Sequence, residues 1–450
     1  MQQAYSLREK ISQFWIILFP IFISQIGLFS MNIVDTMMSG HVGPSELAGV
    51  AIGSSLWVPI FAGLNGIFIA MTPIVAHQIG AGEQKKIAFY VRQGLYVAIV
   101  IALFVYIIGF FLLDILLNGM SIEEHVRYVA KHYLIGLATG IIPLFMFQIL
   151  RSTIDALGQT RVTMFITLIA LPVNVLLNYL LIFGKLGFPR LGGIGAGYAT
   201  AVTYLFIVLI TGFILRRLPA LNEYRILQGR FPVNLAVWKE LLQVGMPIGL
   251  ALFFETSIFA AVTLLMSSYD TITIASHQGA MTFESFLYMV PLSISMALTI
   301  VVGYEAGAKR YQDAKVYIQI GITIAVLIGL LLAILIYLFR ANVAGFFTND
   351  PDTLLLTQQF LIYAIFFQLS DAVAAPLQGA LRGFKDVNWI FIMAMISYWI
   401  IGLPLGFILS HYTSLGPFGY WVGLITGLAA GAVTLSGRML YLLRQLQHHA

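Results

Sequence analysis

The chain contains no cysteine and little charge: of its 450 residues none is Cys, and only 10% are Asp, Glu, Lys or Arg. The first absence excludes a disulfide framework, thiolate metal ligation, iron–sulfur clusters and a cysteine nucleophile. The second excludes an ordinary water-facing surface, because a soluble domain carries roughly 25% charged residues. With 60% hydrophobic residues, most of this surface must face lipid. Enzyme motifs are missing too. No Gly-x-x-x-x-Gly-Lys-Ser/Thr loop is present to cradle phosphates, and the eight histidines show no His-Glu-x-x-His spacing. No cofactor is expected, and uphill work would have to draw on an ion gradient.

What is present is a series of apolar runs, separated by polar, Gly and Pro clusters such as Gly80-Ala-Gly-Glu-Gln-Lys-Lys86 and Thr348-Asn-Asp-Pro-Asp352. A helix crosses a bilayer with roughly 20 mostly apolar residues. Twelve spans are predicted, near 14–38, 48–78, 89–117, 126–150, 162–184, 194–215, 241–267, 274–304, 316–339, 354–380, 387–410 and 418–442. The first run is far longer than the ~7–15 residues of a signal-peptide core and is expected to be a retained span. Of the 24 Lys and Arg, 19 fall on the side of the termini and five (Arg127, Lys131, Lys185, Arg190 and Arg340) on the other. Basic loops stay inside, so both termini are expected in the cytoplasm, with the chain in the cell inner (plasma) membrane. These charges are spread thinly, so lipid is the expected partner and nucleic acid is not. A monomer is expected.

The pattern repeats at an offset of about 225 to 228 residues. Pro73-Ile-Val-Ala-His-Gln-Ile-Gly-Ala-Gly82 followed by Lys85 and Lys86 resembles Thr299-Ile-Val-Val-Gly-Tyr-Glu-Ala-Gly-Ala308 followed by Lys309 and Arg310. Ala156-Leu-Gly158 resembles Leu381-Arg-Gly383, and Phe19-Pro20 has a counterpart in Met246-Pro247. The expected fold is therefore an all-α polytopic membrane protein. Its twelve helices form two pseudo-symmetric six-helix lobes, 1–220 and 241–450, joined by a cytoplasmic linker at 221–240. An even number of spans per half makes the repeats parallel, as in alternating-access transporters.

Four acidic residues fall well inside apolar runs: Asp35, Glu255, Glu284 and Asp371. A charge at the bilayer centre costs ~2.5–3.5 kcal/mol on insertion scales, and no Lys or Arg is expected at comparable depth. Such carboxylates must either be protonated or hold a cation. For Asp35 the alternative is an interfacial carboxylate that meets water; for Glu255, Glu284 and Asp371 it is a structural role. Asn174 and Asn178 stand four apart on one helical face, for which interhelical hydrogen bonding is the ordinary explanation. Phe254, Tyr288, Phe367, Trp57 and Trp399 could stack on a flat organic cation, or simply pack in the core or against lipid.

Several motifs together resemble the multidrug and toxic compound extrusion family, in its NorM-type branch. They are Val34-Asp35-Thr36, Leu47-Ala48-Gly49-Val50, Arg151-Ser-Thr-Ile-Asp155-Ala-Leu-Gly158-Gln-Thr160, Pro172-Val-Asn174 with Asn178, Gly192-Gly-Ile-Gly195-Ala196-Gly197, Gly245-Met-Pro247, Glu255, His277-Gln278, Pro291-Leu-Ser293, Asp371 and Gln378-Gly379. The resemblance spans about residues 8 to 443. It implies a multidrug efflux antiporter exchanging cationic or polyaromatic drugs for Na⁺ or H⁺. Glu255 and Asp371 would be the coupling-cation site, and the Na⁺ ligands if sodium drives transport, with Asp35 as a second, proton-linked site. Glu284, Phe254, Tyr288, Phe367, Gln278, Asn174 and Asn178 would contact substrate. Phe367 departs from the family tyrosine four residues before the aspartate, Glu284 stands where relatives carry a small polar residue, and Asn178 replaces the carboxylate of the DinF-type branch. Two rival readings are a flippase for a lipid-linked precursor, which needs a cavity rich in Arg and Lys, and an intramembrane acyltransferase, which needs a His/Asp or metal constellation.

Overall fold

The computed structural model describes residues 1–448, and every regular element among them is a helix. In chain order these are α1 (Leu7–Gly40), α2 (Pro44–Ile69), α3 (Met71–Gly80), α4 (Ile87–Asn118), α5 (Glu124–Ala138), α6 (Ile141–Ala156), α7 (Thr160–Phe183), α8 (Gly193–Arg217), α9 (Pro219–Asn222), α10 (Leu235–Met266), α11 (Thr271–Gly307), α12 (Tyr311–Gly345), α13 (Pro351–Gly383), α14 (Asn388–Ala394), α15 (Leu403–Tyr412) and α16 (Phe418–His448). A π-helical segment, Met395–Gly402, joins α14 to α15. Asp350 caps α13 by accepting from the Thr353 hydroxyl at 2.7 Å and its amide at 3.0 Å. Those bonds hold the Asp350 carboxyl below the usual carboxylate range, and Thr273 does the same for Asp270 at the start of α11.

Eleven helical stretches among the described residues are long and apolar enough to cross a membrane, and a twelfth forms if the bent pair α5–α6 counts as one span. The fourth predicted span is therefore not the continuous helix that 126–150 suggested: α5 and α6 meet at 52°. The break is at Gly140, where a Cβ would stand 2.5 Å from the Ala201 Cα of α8. Pro143 lies in the first turn of α6, where its missing N–H removes no intrahelical bond. Phe110 and Phe111 of α4 and Leu331 and Ile334 of α12 are exposed, as lipid-facing side chains must be.

The chain divides into two compact units, Phe19–Gly245 and Met1–Leu18 with Met246–Ala450. Helices α1 and α10 each pass from one unit to the other, immediately before Phe19-Pro20 and Met246-Pro247. In the first unit, Met31, Phe147, Ile166, Ala170 and Ile207 form a core joining α1, α6, α7 and α8. In the second, α13 is packed among α11, α12 and α16.

The units repeat each other at an offset of 227. Left-handed turns occur at Gly82 (φ 75°) and Lys309 (φ 59°), and again at Gly158 (φ 80°) and Lys385 (φ 62°). The Thr72 hydroxyl donates to the Ser152 carbonyl at 3.5 Å, and Thr299 donates to the Gly379 carbonyl at 2.9 Å. Of the motif pairings read from the sequence, Phe19-Pro20 with Met246-Pro247 keeps this offset, while those starting at Pro73 and Ala156 were slipped by one and two residues, because apolar helices offer many near-equal alignments. The left-handed turns fix the register, since a side chain there is strained and Gly is not. Lys309→Gly should therefore stabilise the protein by about 0.5–1 kcal/mol. A melting temperature that stays level or falls would show that the turn stores no strain.

Candidate functional site

Polar clusters are buried in each unit. In the first, Asp35 of α1 is 7% exposed. Its Oδ1 accepts from Asn178 Nδ2 at 2.6 Å and its Oδ2 from Thr200 Oγ1 at 2.7 Å. Asn178 also donates to Asn174 Oδ1 at 3.2 Å, and Asn174 donates to Thr200 at 3.5 Å. The one-face spacing of the two asparagines on α7 delivers both to the carboxylate. Helix α8 brings Thr200 alongside because Gly195 lets it close on α7: a Cβ there would stand 2.6 Å from the Leu181 carbonyl oxygen. The groups that hydrogen-bond Asp35 are neutral, and Tyr133 and Tyr204 also lie within its electrostatic reach. Asp35 is thus buried in protein rather than at a wet interface. Asn178 Oδ1 has no hydrogen-bond partner.

The second unit gathers Glu255 of α10, Glu284 of α11 and Asp371 of α13, with 8%, 4% and 6% exposure. Asp371 lies within electrostatic reach of Glu284 first and Glu255 second. Glu255 Oε1 accepts from Gln378 Nε2 at 2.9 Å, and Gln378 Oε1 accepts from Arg382 Nη2 at 3.4 Å. Glu284 Oε1 has no hydrogen-bond partner. Tyr288 and Tyr398 also face these carboxylates.

The expectation that no basic residue reaches this depth is overturned. Arg382 is 3% exposed and Arg151 6%. The apolar runs suggested spans ending at 380 and 150, which put both arginines in loops; α13 and α6 continue to Gly383 and Ala156, so their last turns are covered by protein. Two further buried acids escaped the sequence reading. Asp155 accepts from Thr163 at 2.6 Å and lies 3.8 Å from Arg151. Glu305 accepts from Arg310 at 2.6 Å. Among the described residues, no three His, Cys, Asp or Glu groups are arranged to hold a metal ion.

The expected substrate residues are scattered in environment. Asn174 and Asn178 have no exposed surface and are committed to Asp35. Phe367 is buried edge-on to Phe259 at 5.7 Å. Phe254 is half-buried against Trp399 and Phe391, and the Trp399 indole donates to its carbonyl at 3.1 Å. Tyr288 is half-buried and Gln278 exposed. His277, next to Gln278, is fully buried; Trp421 Nε1 donates to its Nδ1 at 3.0 Å, which leaves Nε2 as the protonated nitrogen facing Thr263 at 3.2 Å. Thr200 was not anticipated from sequence, and its only signal is the small-residue stretch that brings α8 close.

The MatE family model matches residues 20–180 and again 247–408. The chain belongs to the MatE family. Its two matched segments start 227 residues apart, the offset at which the left-handed turns and threonine clasps recur. A protein of Halalkalibacterium halodurans named probable multidrug resistance protein NorM is 55% identical, over 100% of this chain and 98% of its own length. The Bacillus subtilis protein of the same name is 56% identical, over 98% of this chain and 97% of its own. Among solved structures, an outward-facing multidrug resistance MATE family transporter of the MOP superfamily superposes with a TM-score of 0.88 at 20% identity, covering 99% of this chain and 97% of that one. That likeness establishes a shared all-helical membrane fold for this MatE chain.

Proposed function

We propose that the protein is a multidrug efflux antiporter that exports cationic or polyaromatic organic compounds in exchange for Na⁺ or H⁺ by alternating access. It is a transporter and not an enzyme. The observation that carries the reading is the full-length match, above half identity, to relatives named for multidrug resistance. The buried carboxylates support it: they outnumber the buried arginines, so a positive ion or cargo is what this interior attracts. Glu255 and Asp371 take the coupling cation in the second half. Asp35 takes one in the first, within its ring of Asn178, Thr200 and Asn174. Glu284, Phe254, Tyr288, Phe367 and Gln278 contact cargo, while Asn174 and Asn178 act through Asp35. The working unit is a monomer in the inner membrane with both termini cytoplasmic.

A flippase for a lipid-linked precursor would need a free cationic wall. Each buried arginine instead has a carboxylate to offset its charge, Asp155 at 3.8 Å from Arg151 and Glu255 through Gln378 for Arg382, although Arg151 Nε and Nη2 and Arg382 Nε make no hydrogen bond. In a host lacking its own pumps, expression should lower ethidium accumulation and raise tolerance. In vesicles, an imposed Na⁺ or pH gradient should drive ethidium uphill. Absence of protection, together with no movement under either gradient, would sink the proposal.

A further inference from the structure

The buried guanidinium of Arg382 sits two hydrogen bonds from Glu255, and the amide between them is polarised by both. Gln378 presents its NH₂ to the carboxylate at 2.9 Å and its carbonyl to the guanidinium at 3.4 Å. The flipped amide would set donor against donor at one end and acceptor against acceptor at the other, so one orientation is fixed. At the 227-residue offset, Gln378 and Arg382 correspond to Arg151 and Asp155. In the first unit this four-residue pair cancels its own charge at 3.8 Å. In the second unit the pair keeps a net positive charge, and its neutralising carboxylate comes from another helix, α10.

A buried guanidinium stays protonated and is strongly unfavourable unless a carboxylate compensates it. We infer that Arg382 is a positioning residue, a tethered internal cation that acts through Gln378 to hold Glu255 and weakens that carboxylate's grip on the exchanged cation. The other groups facing Glu255 are Asp371 of α13, Tyr288 of α11 and Tyr398 of the π segment, and Glu284 of α11 acts on Asp371 in turn. Asp371 pulls the opposite way and favours cation retention. Arg382 is the one basic group acting on Glu255. It opposes capture of the ion and so permits its release. The inference rests on Glu255 as a coupling group; the charge compensation itself does not.

Two measurements separate these levels. In thermal melts of the purified full chain, Glu255→Gln and Arg382→Gln should each lower the melting temperature by about 3 °C or more. The double variant should regain most of that loss, because both charges leave together. Additive losses overturn the pairing. In proteoliposomes, ethidium exchange is titrated separately with H⁺ and Na⁺. Arg382→Gln should half-saturate at about tenfold lower concentration of the driving cation, the order expected for removing one charge two hydrogen bonds away at an effective dielectric constant of ~20, with allowance for residual water. For a proton-driven protein this is a shift of ~1 pH unit toward alkaline. Arg382→Lys should fall between Arg382→Gln and wild type. Gln378→Met, which keeps both charges but cuts the bridge, should shift in the same direction by less, and it serves if Arg382→Gln does not fold. Half-saturation at the wild-type concentration or above, in whichever of these variants folds, overturns the tuning role. Wild-type vesicles that respond to neither ion would instead overturn the coupling assignment of Glu255, while the melts still decide the pairing.

Discussion

Asp371→Asn should abolish concentrative drug export, with initial rates at least ~100-fold below wild type, while the variant inserts and melts normally. The expectation comes from counting charge around one buried spot. Glu255, Glu284 and Asp371 bring three carboxylates into low-dielectric surroundings, with Arg382 as the basic group acting there. They cannot all be ionised at once without recruiting cations. Glu255 is already committed through Gln378 to Arg382. Asp371 feels Glu284 and Glu255, both acids, so its ionised form most needs an incoming positive ion. Asparagine keeps the shape and removes that need, so cation binding no longer discriminates between two states and cannot shift their balance. Glu284→Gln should be milder, because Asp371 and Glu255 still form an acidic pair. Ethidium transport in proteoliposomes, normalised to inserted protein, reads both variants. Uphill transport by Asp371→Asn at near the wild-type rate would remove Asp371 from the coupling machinery.

How far the sequence led differs between fold and site, for physical reasons. Lipid demands a minimum apolar length, so most spans, the twofold repeat and the four deep carboxylates show in composition and spacing. The Asn174–Asn178 pair shows too, because four residues return a helix to the same face. Hydropathy registers lipid exposure but not burial by protein. Arg151 and Arg382 were therefore misplaced in loops, since the last turns of α6 and α13 lie under other helices. Asp155 and Glu305 were overlooked for the same reason. Thr200 reaches Asp35 from 165 residues away, and nothing local to either residue announces that contact. The break in span four follows from Gly140 meeting Ala201 on another helix, again a long-range cause.

Gly379→Ala should be among the most damaging single methyl groups that can be added to the second unit. A Cβ at Gly379 would stand 2.6 Å from the Ser295 Cα and 2.7 Å from its carbonyl carbon, with the carbonyl oxygen nearer still. No rotamer relieves this, because the obstacle is backbone and the added atom has no torsion. Helices α11 and α13 would have to separate, which strains the Thr299 hydroxyl's 2.9 Å bond to the Gly379 carbonyl. Overpacking of ~1–3 kcal/mol together with a lost buried hydrogen bond of ~1 kcal/mol gives a loss of roughly 2–4 kcal/mol. In the first unit, the equivalent Ser152 carries a side chain, and its clasp with Thr72 is longer, at 3.5 Å. Ser152→Gly should therefore change stability by less than ~1 kcal/mol. Melting in detergent compares the two, with a drop of about 5 °C or more expected for Gly379→Ala. Gly379 directly follows Gln378, so displacing α13 there also draws the amide away from Glu255. Gly379→Ala protein that survives purification should thus half-saturate at a lower driving-cation concentration, as Gln378→Met does. Wild-type melting together with wild-type half-saturation would mean that α11 and α13 do not approach this closely at Gly379.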